Sequence, residues 1–90
     1  MQNGDVNEFV DHIRYGDELW FLFGGKKYFP EGRKSDGILE LLLYEMTDGG
    51  KSYVWRGDEI NYPVEKFLEA GIWNGKTFWE VEADMKWVDE

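Results

Sequence analysis

The sequence predicts a small α+β domain with one N-terminal helix, a four-stranded antiparallel meander sheet, and two C-terminal helices packed on one face. Apolar residues recur with helical spacing near both ends of the chain. Between the ends, apolar and aromatic runs of strand length alternate with short glycine-containing turns, which join antiparallel neighbours. A chain of 90 residues is expected to form a single domain, residues 1–90.

The first element is a helix predicted from about Val6 to Tyr15. The stretch Asp5 to Glu8 has the form of a capping box, and the apolar residues that follow fall on one helical face. Gly16 is predicted to end this helix. His12, the only histidine, lies off the apolar face, so we expect a solvated side chain rather than a ligand or general base.

The most apolar stretch runs from Ile38 to Met46 and is bounded by turn residues on both sides. In extended form it places Leu39, Leu41 and Leu43 on one face. Because its other face is also partly apolar, we predict a strand in the middle of the sheet, although its composition also suits a helix.

Three further strands are predicted around this one. An aromatic hairpin spans Glu18 to Phe29 and turns at Gly24-Gly25, and Pro30 ends its second strand or confines it to an edge. The polar segment 31–37 is predicted to be a loop. After a reversal at 47–51, the alternating segment 52–56 forms the fourth strand.

Two helices are predicted in the last third of the chain. The first begins near Asn61 to Pro63 and ends near Gly71. The segment 77–88 is ambiguous, because its apolar residues fit a helical stripe and also a strict strand alternation. We choose the helix, since Thr77 to Glu80 has the form of a second capping box.

The net charge of −9 restricts the classes of partner. The segment from Asp58 to the last residue contains nine acidic residues and three basic ones. Such a surface repels nucleic-acid backbones and anionic lipid, and it favours a basic partner. No stretch is long and apolar enough to span a membrane, and no signal-peptide pattern is present, so a cytoplasmic protein is expected.

The sequence contains no recognisable catalytic constellation, and we therefore expect a non-enzymatic protein without cofactor or metal. The absence of cysteine excludes thiolate catalysis and cysteine-based metal sites. The segment Gly49 to Ser52 lacks the preceding glycine of a phosphate-binding loop. The paired carboxylates are predicted to lie on solvated helix faces, where nothing raises their pKa for acid–base work.

The tryptophans divide into two groups. Trp20, Trp55 and Trp73 are expected to fill the core. If 77–88 is helical, Trp79 and Trp87 form a second apolar stripe, rimmed by acids, that the same core cannot cover. The candidate partner-binding residues are therefore Trp79, Trp87, Glu80, Asp84, Glu65 and Glu69. Packing of the two rings on the hairpin or the first helix is the alternative.

Three segments resemble a group of small uncharacterised proteins from Gram-positive bacteria. They are Gly16 to Phe29, Val64 to Glu69 and Ile72 to Val81, which together cover about half of the chain. The shared features are an aromatic strand with a Gly-Lys-x-Tyr return, and a short helix followed by an Ile-x-x-Gly-Lys-Ser/Thr segment. The resemblance implies an α+β architecture, and it carries over no functional residues.

Two classes of function remain open from the sequence. The first is a small acidic protein-interaction module that binds another copy of itself, or a basic protein in the manner of an inhibitor or immunity protein. The alternative is a small-molecule binder or enzyme with a pocket between sheet and helices, using Tyr53, Tyr62 or Trp73.

Overall fold

The computed structural model describes residues 1–47 and 49–88, and within them the protein is an α+β fold built on a five-stranded antiparallel sheet. The strands lie in the order β4-β3-β2-β1-β5. The helices are α1 (Val6–Arg14), α2 (Val64–Glu69) and α3 (Phe78–Val81), with a 3-10 turn at Glu82–Asp84. The strands are β1 (Trp20–Phe23), β2 (Lys26–Ser35), β3 (Ile38–Glu45), β4 (Ser52–Arg56) and β5 (Lys86–Val88). The predicted meander of β1 to β4 is confirmed, and the predicted total of four strands is wrong.

The helices α1, α2 and α3 all pack on one face of the sheet, which we call the inner face. The cross-strand register places Phe21 opposite Tyr28 and Leu43 opposite Tyr53, with all four residues on this face. Their side chains join those of the helices in one hydrophobic core. Burying these large side chains is the main source of stability for so short a chain.

The helix α1 follows the sequence prediction closely. Asp5 caps it, because one carboxylate oxygen accepts from the backbone N–H groups of Asn7 at 2.8 Å and Glu8 at 3.2 Å. Gly16 follows the helix with a positive φ of 72°, a conformation that glycine adopts without a steric penalty. His12 is solvent-exposed, as expected, and its Nδ1 lies 2.8 Å from the Asp17 carboxylate.

The prediction of a loop over residues 31–37 is wrong. The strand β2 continues through Pro30 to Ser35 and pairs with β3 along its whole second half. Proline is tolerated because β1 pairs with β2 only as far as Tyr28, so that Pro30 lies where one side of β2 is already an edge. The turn is only Asp36-Gly37, and both residues have positive φ angles, as a two-residue hairpin turn requires.

The prediction of one helix over 77–88 is also wrong. The Thr77–Glu80 capping box is present, but it opens only the single turn of α3. Met85 is extended, and the following residues pair with β1 as the edge strand β5. After Asp84 the segment therefore forms a strand, as its alternating pattern also allowed. The edge of β1 offers backbone hydrogen bonds to a strand, and a longer helix could not form them.

The N-terminal residues form hydrogen bonds with β5 along the side that does not pair with β1. The backbone N–H of Gln2 donates to Met85 at 2.8 Å, and its carbonyl accepts from Trp87 at 3.0 Å. The Asn3 side-chain amide donates to the Trp87 carbonyl at 2.7 Å. Gly4 lies against the Trp87 ring, so closely that an added Cβ would lie 2.5 Å from it.

The tryptophans are also distributed differently from the prediction. Trp73 is buried and Trp55 packs against the core, as expected. Trp20 is outside this core, and it lies on the opposite face of the sheet from Phe21. Trp87 packs on the core instead, with its ring 5.3 Å from that of Phe9.

The reversal predicted at 47–51 includes Asp48, which lies outside the described residues. No helix of residues 1–47 and 49–88 is long and apolar enough to cross a membrane.

The two C-terminal tryptophans provide a test of this fold. We expect Trp87→Ala to lower the free energy of unfolding by about 2–4 kcal/mol, because it leaves a cavity beside Phe9. Trp79, which is 48% exposed, should cost less than about 1 kcal/mol when changed to alanine. Urea unfolding of both variants measures the difference, and equal losses would contradict the placement of Trp87 in β5.

Candidate docking face

The second face of the sheet, which we call the outer face, is left uncovered by every helix within the described residues. Strand residues alternate between the faces, so the neighbours of the core residues point outward. These outward residues fall into rows across the strands, because the register of each strand pair is in phase with the next. Two of the rows have a composition that suggests binding.

The aromatic row consists of Trp20, Phe29 and Tyr44, one from each of three adjacent strands. The rings of Trp20 and Phe29 are stacked with centroids 4.6 Å apart, and those of Phe29 and Tyr44 are 6.4 Å apart. Each ring is partly exposed. The Lys27 ammonium lies 4.5 Å from the Trp20 ring centroid, a cation–π contact at the border of the row.

The arginine row consists of Arg33, Glu40 and Arg56, which are directly opposite one another on β2, β3 and β4. Arg33 Nε donates to one oxygen of Glu40 at 2.7 Å, and Arg56 Nε lies 3.1 Å from the other. Glu40 is only 5% exposed, whereas both arginine side chains are more than half exposed. One buried carboxylate thus fixes two accessible guanidinium groups.

Between these rows lies a mixed row of Glu31, Leu42 and Val54. Leu42 is buried, and Val54 on the edge strand is 54% exposed. Burial raises the pKa of Tyr44, with a further contribution from the Glu31 carboxylate, which accepts a hydrogen bond from its hydroxyl. The outer face therefore carries basic side chains at both ends, with apolar residues and the Glu31 carboxylate between them.

The outer face also carries a charge opposite to that of the chain. Its charged side chains in the described strands are Lys27, Arg33, Arg56 and Lys86 on the positive side and Glu31 and Glu40 on the negative side. The rest of the chain holds six of the ten basic residues and 17 of the 19 acidic ones. An acidic protein thus presents one face with a small positive excess.

The structure does not bring Trp79 and Trp87 into one stripe. Trp79 is on α3 and stands edge-on to Phe78, with centroids 5.4 Å apart. Trp87 is on β5, and its ring contacts those of Phe9 and His12 on α1, with centroids 5.3 and 5.4 Å apart. The expected double-tryptophan surface depended on a continuous helix, and the chain leaves the helix before Trp87.

The four acids predicted beside them are exposed, and two have structural partners. Glu65 forms an ion pair with Arg14 at 2.6 Å. Glu80 accepts from the backbone N–H of Thr77 at 2.9 Å, and this bond lowers the pKa of its carboxyl. Glu69 ends α2, and Asp84 ends the 3-10 turn. Their role in partner binding remains a prediction.

The pocket named as the alternative has partial counterparts. Tyr53 and Trp73 both line a cavity of about 260 Å³ at one end of the inner face, together with Tyr28 and Glu45. This volume is below the roughly 300–1,000 Å³ typical of ligand sites. Hydrogen bonding to Lys26 lowers the pKa of Glu45, whereas a general acid needs a raised one.

Tyr62, the third residue of that alternative, lies elsewhere. Its hydroxyl packs over Gly32, where an added Cβ would lie 2.8 Å from it. A shallow groove beside Tyr62 has a volume of about 490 Å³. Two of its polar groups already hold the loop in place, since Asp58 accepts from Asn61 at 2.7 Å and Lys66 donates to the Arg56 carbonyl at 2.6 Å.

Residues 1–47 and 49–88 contain no group of three or more histidine or carboxylate side chains placed to hold a metal ion. Comparison with protein families, with curated proteins and with solved structures finds no match to this chain. The resemblance to small proteins of Gram-positive bacteria therefore remains a prediction.

Sequence reasoning missed the outer face for an identifiable reason. Alternation predicts that Glu40, Leu42 and Tyr44 share one face, but the sequence predicts a loop at Arg33 and a core position for Trp20. Once β2 was extended to Ser35, the spacing between Arg33 and the Asp36-Gly37 turn would have paired it with Glu40.

The arginine row makes a prediction about stability. Glu40→Gln should lower the free energy of unfolding by about 1–2 kcal/mol, because it leaves two guanidinium groups without their shared counterion. The loss is smaller than for a fully buried ion pair, since both arginines are solvated. Glu31→Gln is the matched control for urea unfolding, because Glu31 is exposed on the same face and a glutamine oxygen can still accept its hydrogen bond from Tyr44. Equal stability of the two variants would contradict a structural role for Glu40.

We predict that the folded protein loses stability in alkali, because two of its tyrosines are buried or partly buried. Burial raises the pKa of Tyr28 and of Tyr62 to about 12, above the ordinary value of 10.0. The folded state therefore holds these protons more tightly, so their contribution is complete below pH 10 and is lost between pH 10 and about 12. Tyr62→Phe should reduce this loss.

Tyr15→Phe is the control for that experiment, because Tyr15 is exposed. Urea unfolding at a series of alkaline pH values, with tyrosinate absorbance recorded in parallel, measures both effects. If both variants lose stability with pH in the same way, the assignment of the alkaline transition to Tyr62 is wrong.

Proposed function

We propose that this protein is a protein-interaction module that binds its partner on the outer face of the sheet. The observation that carries the proposal is the aromatic row of Trp20, Phe29 and Tyr44 on a face that no described helix covers. An apolar sheet face is normally buried against another element. Aromatic rings beside arginine are also the usual composition of binding hot spots.

Charge supports an acidic partner for this face. A second copy of the chain would bring two positively charged faces together, and a basic protein would be repelled from both ends of the face. A partner whose apolar side chains are flanked by carboxylates would instead meet complementary charge at Arg33, Arg56 and Lys86. The basic partner expected from net charge would have to use another surface.

The partner segment that fits this face best is an amphipathic helix. A helix satisfies its own backbone hydrogen bonds, whereas an extended segment lying across the face of a sheet would leave its N–H and C=O groups unpaired. The inner face already shows this arrangement, since Phe9 and Ile13 of α1 pack on it in the same way. The proposal is therefore an acidic amphipathic helix seated on the aromatic row.

Selection from a displayed library of random peptides of about 20 residues tests the proposal, since this length allows a helix of several turns. We expect the selected peptides to combine acidic with large apolar residues. Val54→Asp should weaken their binding at least about tenfold, because it places a carboxylate between the aromatic row and the arginine row, where it repels an acidic segment. Ile60→Asp adds the same charge at a loop position that is 84% exposed, and it should leave binding unchanged.

Three results would overturn the proposal. The first is a set of selected peptides that is basic, and the second is binding that Ile60→Asp weakens as much as Val54→Asp. The third is a wild-type dimer, seen by light scattering, that Val54→Asp dissociates, because the occupant of the face would then be a second copy of the chain.

A further inference from the structure

The arginine row of the outer face has the geometry of a receptor for one carboxylate. We infer that Arg33 and Arg56 together bind a carboxylate side chain of the partner, and that Glu40 positions them for it. This inference rests on the proposed function, and it specifies the chemistry of the partner at one end of the face.

The separation of the two arginines supports this role. Because their Nε atoms hold the two oxygens of one carboxylate at 2.7 and 3.1 Å, these atoms lie within about 8 Å of each other. A second carboxylate approaching from solvent can span the same gap in the way that Glu40 spans it from below. The guanidinium fork has further N–H donors, in the Nη groups, for this second anion.

The charge of the row favours a monoanion. Arg33, Glu40 and Arg56 carry a net charge of +1, which one carboxylate neutralises. A phosphate dianion would leave the site negative, next to the buried carboxylate of Glu40. The ligand predicted for the row is therefore an aspartate or glutamate side chain.

The distance to the aromatic row defines the partner further. Arg33 lies four residues from Phe29 along β2, which corresponds to about 13 Å in a strand. In a helix lying along the strands, about nine residues cover this distance. The partner helix should therefore carry its acidic residue about two and a half turns from its main apolar anchor.

Acetate is the probe for this site, and NMR of the arginine side chains is the readout. The chain has three arginines, so Arg14, which pairs with Glu65 and not with Glu40, serves as an internal reference. We expect acetate to shift the Arg33 and Arg56 signals saturably, with a Kd of about 10–100 mM. Chloride at the same ionic strength should not produce this shift.

Variants separate a positioned site from simple attraction. Arg33→Lys keeps the charge but removes the guanidinium fork, and it should abolish the saturable shift at Arg56. Glu40→Gln makes the row more positive, yet it should weaken acetate binding at least about threefold, because the arginines are no longer fixed. Tighter acetate binding to Glu40→Gln would overturn the positioning role.

Two other results would overturn the inference. One is an acetate response at Arg33 and Arg56 that is no larger than that at Arg14. The other is phosphate binding about tenfold tighter than acetate, which would make the row a phosphate site. Since acetate binding needs no protein partner, its failure is distinguishable from a failure of the peptide selection.

Discussion

The helices α1, α2 and α3 cover one face of the sheet, and this one-sided packing determines the character of the other face. The inner face is filled by large side chains such as Phe9, Phe21 and Phe67. The outer face has to stabilise its apolar residues through contacts within the strands alone, across the part of the chain that the structure describes. Stacked rings and a cross-strand ion-pair row are the result. Both leave much of each side chain accessible, so a stabilising arrangement is also a binding surface.

The fold places a small excess of positive charge on the outer face, although the chain as a whole is acidic. A net charge of −9 indicates repulsion of acidic partners, and for distant partners that holds. At short range, however, a partner meets the local face, and ionic screening limits the influence of charges more than about 10 Å away. The positive excess at Arg33, Arg56 and Lys86 can therefore select an acidic segment on an acidic protein.

Much of the fold was accessible from local patterns. Capping and spacing predicted α1 almost to the residue, and glycine turns predicted the order of β1 to β4. The secondary structure of the last segment could not be predicted in this way, because the apolar residues from Thr77 to Val88 fit the helical and the strand period equally well. What decides between them is the free edge of β1, which is distant in sequence and invisible to any local pattern.

The candidate site was predictable only in part, for a related reason. Which face of a strand is buried depends on where the helices pack, and alternation alone does not assign Trp20 to one face or the other. The ion pair of Arg33 with Glu40 depends on the register set by a two-residue turn. Of the three aromatic residues named for a pocket, Tyr53 and Trp73 line one cavity, whereas Tyr62 lies elsewhere.

The most direct test of the central claim is the NMR chemical-shift map of the ¹⁵N-labelled protein with a selected acidic peptide. The account predicts that the perturbed backbone amides cluster at Trp20, Phe29, Tyr44 and Val54, with little change in α1 and α2. Perturbations centred on the helices, or on the exposed Trp79 of α3, would contradict it and place the binding surface on the opposite side of the molecule.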